Sequence, residues 1–144
     1  MTSQPQRVLV AGTGSAVTER LLPALEAAGH RVLALDDADA VRVARPTVVI
    51  HEATTLSAAR DLLHACERHG VQRFVAFGEA GWLEEVVMDG LLVQGVVLRT
   101  RSPVDVDGVV AAVLLAVDLG WGIYDVESSR ARASGDDRRA GGRA

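Results

Sequence analysis

Six short apolar runs recur along the chain, and between them apolar residues return every three or four positions. Val8-Leu-Val10 is β-branched, ends at Gly12 and predicts a first strand. Val17, Leu21, Leu25 and Ala28 then follow at helical spacing from Ser15 to Ala28, with Gly29 as the stop. Pro23 conflicts with that helix, because it removes the hydrogen bond to the Glu19 carbonyl at a cost of ~3 kcal/mol unless the helix kinks. Arg31–Leu35 reads as a second strand ending in Asp36-Asp37, and residues 38–44 as a turn or two of helix.

Thr47–Ile50 predicts the third strand, with His51-Glu52 at its end. Leu56, Ala59, Leu63 and Cys66 form one helical stripe closed by Gly70. Arg73–Phe77 is a fourth strand, Trp82–Met88 a short helix, and Val96–Leu98 a fifth strand. Asp107 reads as the N-cap of a helix over Gly108–Asp118 that is apolar on nearly every face, a pattern of full burial or subunit contact. Ile123–Val126 is the last strand. From Ser128 the chain turns to Ser, Gly, Arg and Asp without periodicity, which predicts disorder. The domain therefore spans 1–126 and a polar tail 127–144.

Strands alternating with helices give an α/β fold: a doubly wound parallel sheet of five or six strands with right-handed crossovers, in the expected order 2-1-3-4-5-6. The topological switch then lies between strands 1 and 3, and ligands of such sheets bind at the carboxyl ends of the strands near that point.

Composition adjusts this picture at a few places. The chain has 144 residues, 49% of them apolar but only 3% aromatic, so the core must be Val, Leu and Ala. Net charge is −4. The stretch from Glu127 onward holds five arginines and three acids, net +2, which leaves −6 for the body and argues against nucleic-acid binding. One cysteine, Cys66, excludes an intrachain disulfide and fits a reducing compartment. Residues 1–10 lack a signal-peptide pattern, and the longest apolar run, Val109–Val117, is too short for a bilayer. A cytoplasmic protein without membrane attachment is expected.

Gly12-Thr-Gly14-Ser-Ala-Val17 starts as Gly-x-Gly-x-x-Gly and fails at the third glycine. The first glycine allows the tight turn, the second admits a pyrophosphate to the backbone, and the third brings helix and strand close. The loop still offers free amides and the positive end of a helix dipole to an anion. Thr13, Ser15 and Thr18 add hydroxyls, and Asp36 stands where a carboxylate accepts from a ribose hydroxyl. An acid there favours NAD over NADP, since it repels a 2′-phosphate. The candidate cofactor residues are Gly12, Thr13, Gly14, Ser15, Ala16, Val17, Asp36, Asp37, His51 and Ala53. The competing reading is a tight turn and a solvated strand end.

These stretches in this order resemble the extended short-chain dehydrogenase/reductases, the NAD-dependent epimerase/dehydratase group with its Rossmann-like fold. Arg7–Leu25 looks like the opening strand, glycine loop and helix. Pro46-Thr-Val-Val-Ile-His-Glu-Ala53 is similar to the family's Pro-Asp-Val-Val-Ile-His-Leu-Ala strand. Gly70-Val-Gln-Arg-Phe-Val-Ala-Phe77 looks like the approach to the active-site serine, and Gly95–Arg99, Val106-Asp107 and Gly122–Val126 look like later landmarks.

The departures bear on catalysis. The resemblance implies a serine after the fourth strand, where Gly78-Glu79 stands, and a Tyr-x-x-x-Lys pair, whose helix shrinks to about 81–90. All fifteen basic residues are arginine, so no lysine exists to lower a tyrosine pKa, and a tyrosine near its ordinary value of about 10 is a poor base at neutral pH. Arg99 or Arg101 offers charge, but the only tyrosine, Tyr124, falls on the final strand.

Other constellations are weaker. His51, Glu52 and Glu79 are catalytic candidates at the carboxyl end of the sheet, against the plainer reading of one structural histidine and two solvated acids. His64, Cys66 and His69 invite a metal, but only Cys66 and His69 share a helix face and no second cluster completes a shell. Ser57 and Ser102 lack a nucleophile elbow. Arg130–Arg143 reads as a solubilising end rather than an anion-binding arm. Two functions stand: an NAD-binding protein with weak, altered or no oxidoreductase or epimerase activity on an unknown small molecule, or a binding or dimerisation module without turnover. A homodimer is expected through the apolar helix or a bared face of the Leu56–Cys66 helix.

Overall fold

The computed structural model describes residues 5–126 except Thr13, Asp36, Ala80 and residues 90–92 and 119–121. The tail from Glu127 onward, for which disorder was expected, lies outside the described residues. Among the described residues six strands form one parallel sheet: β1 (Arg7–Ala11), β2 (Arg31–Ala34), β3 (Val48–Glu52), β4 (Arg73–Gly78), β5 (Gln94–Arg99) and β6 (Gly122–Asp125). Their order is β2-β1-β3-β4-β5-β6, as the pattern predicts. Five helices among the described residues alternate with them: α1 (Ala16–Ala27), α2 (Asp39–Ala44), α3 (Leu56–Arg68), α4 (Leu83–Met88) and α5 (Val106–Ala116).

The strand sequences follow from what covers them. The central strands are buried on both faces and read as continuous Val, Leu and Ile. β2, at one margin, alternates exposed and partly buried positions instead. One core layer takes Val8, Val10, Ile50, Val75 and Leu98 against Val17, Leu21 and Leu25 of α1 and Val109 and Val113 of α5. The other takes Leu9, Val49, Phe74 and Val97 against Val41 of α2, Leu63 and Cys66 of α3, and Leu83 and Val87 of α4. Among the described residues no helix is long and apolar enough to cross a membrane.

Several details differ from expectation. α1 runs through Pro23 as a single element. Pro23 is exposed, so water can serve the carbonyl that its missing N–H leaves open. α5 begins earlier than predicted, with Asp105 rather than Asp107 at the N-cap position. Asp107 lies in the first turn and forms an exposed ion pair with Arg20 of α1. Nor is α3 bared: it packs against α2 and α4, its apolar stripe is covered, and its outward positions are polar or small. α4 takes over that cover because β5 carries Gly95, which leaves room for the α4 backbone at Val87.

Candidate functional site

β1 is an interior strand, so its carboxyl end opens onto the middle of the sheet crest, beside β3. The chain leaves it through Gly12 (φ +107°) and Gly14 (φ +95°), both in conformations that side-chain-bearing residues rarely adopt. The two glycines do different work. A Cβ on Gly12 would lie 3.0 Å from the Glu52 Cβ, so Gly12 lets the loop turn tightly against β3. A Cβ on Gly14 would meet nothing within 4 Å, so Gly14 borders open space.

Ser15 caps α1 in a reciprocal box. Thr18 N–H donates to Ser15 Oγ at 3.1 Å, and Ser15 N–H donates to Thr18 Oγ1 at 3.2 Å. This corrects the expectation of a free hydroxyl donor at Thr18, which is buried and donates to the Ser15 carbonyl, whereas Ser15 Oγ accepts from the Thr18 amide and keeps its own O–H. The cap also decides which amides of the first turn are left without a bond. Among the described residues, the N–H groups of Ala16 and Val17 have no acceptor, and they carry the positive end of a 12-residue helix. Val17, where a third glycine was sought, packs into the core under α1. Thr13 and Asp36 lie outside the described residues.

Two cavities flank this crest, because neighbouring residues of β3 point to opposite faces of the sheet. His51 lines a cavity of about 270 Å³ with Ala11, Asp37, Ala58, Asp61 and Leu62. It is buried, with its ring centroid 6.1 Å from that of Phe74. Glu52 and Ala53 line a cavity of about 340 Å³ with Val17, Phe77, Gly78, Glu79, Thr100 and Val104. The candidate trio is thereby divided: Glu52 and Glu79 share a cavity, and His51 lines the other. Asp37 precedes α2, its Oδ1 accepting from Asp39 N–H at 2.9 Å. Glu79 accepts from Ser102 Oγ at 2.7 Å.

Thr100 was missed by sequence reasoning. It is buried, follows β5, and lines the Glu52 cavity as well as a neighbouring one of about 390 Å³ that includes Arg101 and Asp105. Its place at the carboxyl end of a central strand was the available signal.

Of the remaining candidates, Arg99 ends β5 and lines the cavity of about 390 Å³ beside Thr100, and Tyr124, Cys66, His64 and His69 line none of these cavities. Arg99 forms ion pairs with Glu84 of α4 and Asp125 of β6, and these carboxylates hold its guanidinium pKa above the ordinary value. Tyr124 lies on β6, 41% exposed. Cys66 is turned into the core, where burial pushes its thiol pKa up to about 12. His64 and His69 border a polar cleft between α2 and α3 instead, with Arg42 and Arg68. Among the described residues no group of three or more His, Cys, Asp or Glu is arranged to hold a metal.

No protein-family model and no curated protein matches the chain. Solved structures do. The UDP-glucose 4-epimerase of Thermus thermophilus, in complex with NAD, is 18% identical, with a TM-score of 0.67 over 83% of this chain and 77% of its own. The Bordetella bronchiseptica enzyme WbmG, also in complex with NAD, is 14% identical, with a TM-score of 0.72 over 86% and 73%. The UDP-glucose 4-epimerase of Thermotoga maritima, with UDP-glucose, is 14% identical, with a TM-score of 0.67 over 83% and 76%. At these identities the likeness is one of architecture: the chain has the Rossmann-like fold of these enzymes.

Proposed function

We propose that this chain is a short, degenerate relative of the epimerase/dehydratase group that binds NAD and has little or no hydride-transfer activity. The observation that carries the reading is the pair of amides at Ala16 and Val17 that have no acceptor among the described residues, beside Gly14, at the carboxyl end of an interior strand. A pyrophosphate fits there, since the backbone can be approached closely and the helix dipole favours negative charge. In this reading the adenosine half lies toward the cavity of Ala11, Asp37 and His51, and the nicotinamide half toward that of Glu52, Thr100 and Glu79. Bound NAD would supply a hydride acceptor.

The chain's own residues supply little else for that chemistry. It has no lysine, its tyrosine sits on β6, and Arg99 is occupied by two carboxylates. Ser102 and Glu79 hold each other, and neither has a basic partner within that hydrogen bond. This supports binding without efficient turnover. Asp37 beside the adenosine cavity supports NAD over NADP, because a 2′-phosphate would meet its carboxylate. Calorimetry on the purified chain tests both points. NAD should release binding heat and NADP should bind at least about tenfold more weakly, a difference near 1.4 kcal/mol. Equal affinity for the two removes Asp37 from the site, and absence of heat with either removes the cofactor.

A further inference from the structure

The cavity at the ends of β3 and β4 is one-sided in charge. Glu52 and Glu79 line it, and no arginine or histidine among the described residues does. Glu52 is half-buried, and neither glutamate takes part in an ion pair among the described residues. Glu79 accepts at 2.7 Å from the Ser102 hydroxyl, a neutral group that leaves the carboxylate charge in place. Arg99 is engaged by Glu84 and Asp125, and Arg101 lines the neighbouring cavity instead. Val17 and Phe77, both buried, give the Glu52 cavity apolar walls, beside which a charge acts more strongly than in open water.

Resting on the placement of NAD given above, we propose that these two carboxylates make the site selective for the oxidised dinucleotide. The nicotinamide ring is cationic in NAD⁺ and neutral in NADH, and the two forms share their pyrophosphate, riboses and adenine. Glu52 and Glu79 repel the pyrophosphate equally in both forms, so that cost cancels from the ratio of affinities. The attraction between the carboxylates and the ring does not cancel. Two partly exposed charge pairs of modest strength together give a preference of about tenfold, near 1.4 kcal/mol. For a two-electron couple the same factor lowers the midpoint potential of the bound cofactor by about 30 mV. The chain then distinguishes the redox state of the dinucleotide and opposes hydride transfer to it, in keeping with binding without efficient turnover.

Titration calorimetry of the full chain with NAD⁺, NADH and ADP-ribose tests this, since ADP-ribose carries the adenosine and pyrophosphate without the nicotinamide ring. NAD⁺ should bind about tenfold more tightly than NADH. In the double variant Glu52→Gln, Glu79→Gln the two affinities should come within about twofold of each other. Glutamine keeps the shape of glutamate, and a melting curve of the variant checks its fold. The ratio in the unsubstituted chain decides the matter even where the variant is unstable. Equal affinity for NAD⁺ and NADH, with ADP-ribose also bound, overturns this inference and leaves the cofactor site standing. A preference that survives in the folded double variant overturns it as well, because the carboxylates are then not its cause. If none of the three ligands binds, the cofactor reading falls and this inference with it.

Discussion

Gly14→Trp is expected to lower NAD affinity by more than about 100-fold, near 2.7 kcal/mol, while the chain stays folded. Gly14 is exposed, and no atom stands within 4 Å of where its Cβ would begin. An indole there would enter the space assigned to the pyrophosphate and shield the amides of Ala16 and Val17. The positive φ of Gly14 adds a strain of roughly 1–2 kcal/mol for any side chain, so some loss of thermal stability accompanies the change. Gly14→Ala carries the same strain with little bulk, and its affinity should fall between the two. Calorimetry paired with a melting curve separates the effects. If Gly14→Trp binds NAD as the unsubstituted chain does, the phosphate is not at this loop.

Gly95→Ala is expected to destabilise the fold by roughly 1–3 kcal/mol, the usual cost of overpacking a core. Gly95 is buried in β5, and α4 lies across it. A methyl group there would overlap Val87 Cγ1 and come within 3.2 Å of the Val87 carbonyl oxygen. Val87 is itself fully packed, so the clash is relieved only by lifting α4 from the sheet. That would expose Leu83 and Val86 and loosen the cover on α3. The melting temperature should fall by roughly 4–12 °C for a domain of this size. Adding Val87→Ala should recover part of the loss, because the two side chains compete for one volume. A Gly95→Ala protein as stable as the original would mean that α4 is not seated there.

The fold was legible in the sequence because strands buried on both faces write themselves as unbroken apolar runs. Val48-Val-Ile50 and Val96-Val-Leu98 are such runs, and their alternation with helical stripes fixes a parallel sheet. The helix boundaries were less legible, since Asp105 and Asp107 are chemically equivalent caps and only the backbone decides between them. Pro23 looked like a breaker because sequence shows the missing donor but not the solvent beside it. The cover on α3 was misjudged for a similar reason: a six-residue helix suffices when a glycine on the strand beneath admits it.

At the site, the residue types were readable and their grouping was not. His51 and Glu52 are adjacent in sequence yet line different cavities, a consequence of strand geometry. Thr18 looked like a ligand donor, but a three-residue spacing at a helix start also makes a capping box, and its hydroxyl is turned back on Ser15. Thr100 carries no motif and becomes visible only when β5 is laid beside β4.

Backbone amide chemical shifts recorded during an NAD titration test the central claim most directly. The largest changes are expected at Gly12, Gly14, Ala16 and Val17, with smaller ones at Asp37 and Thr100 on either side of the crest. A titration that leaves the amides of Ala16 and Val17 unmoved, or moves only residues of the α2–α3 cleft, would contradict it.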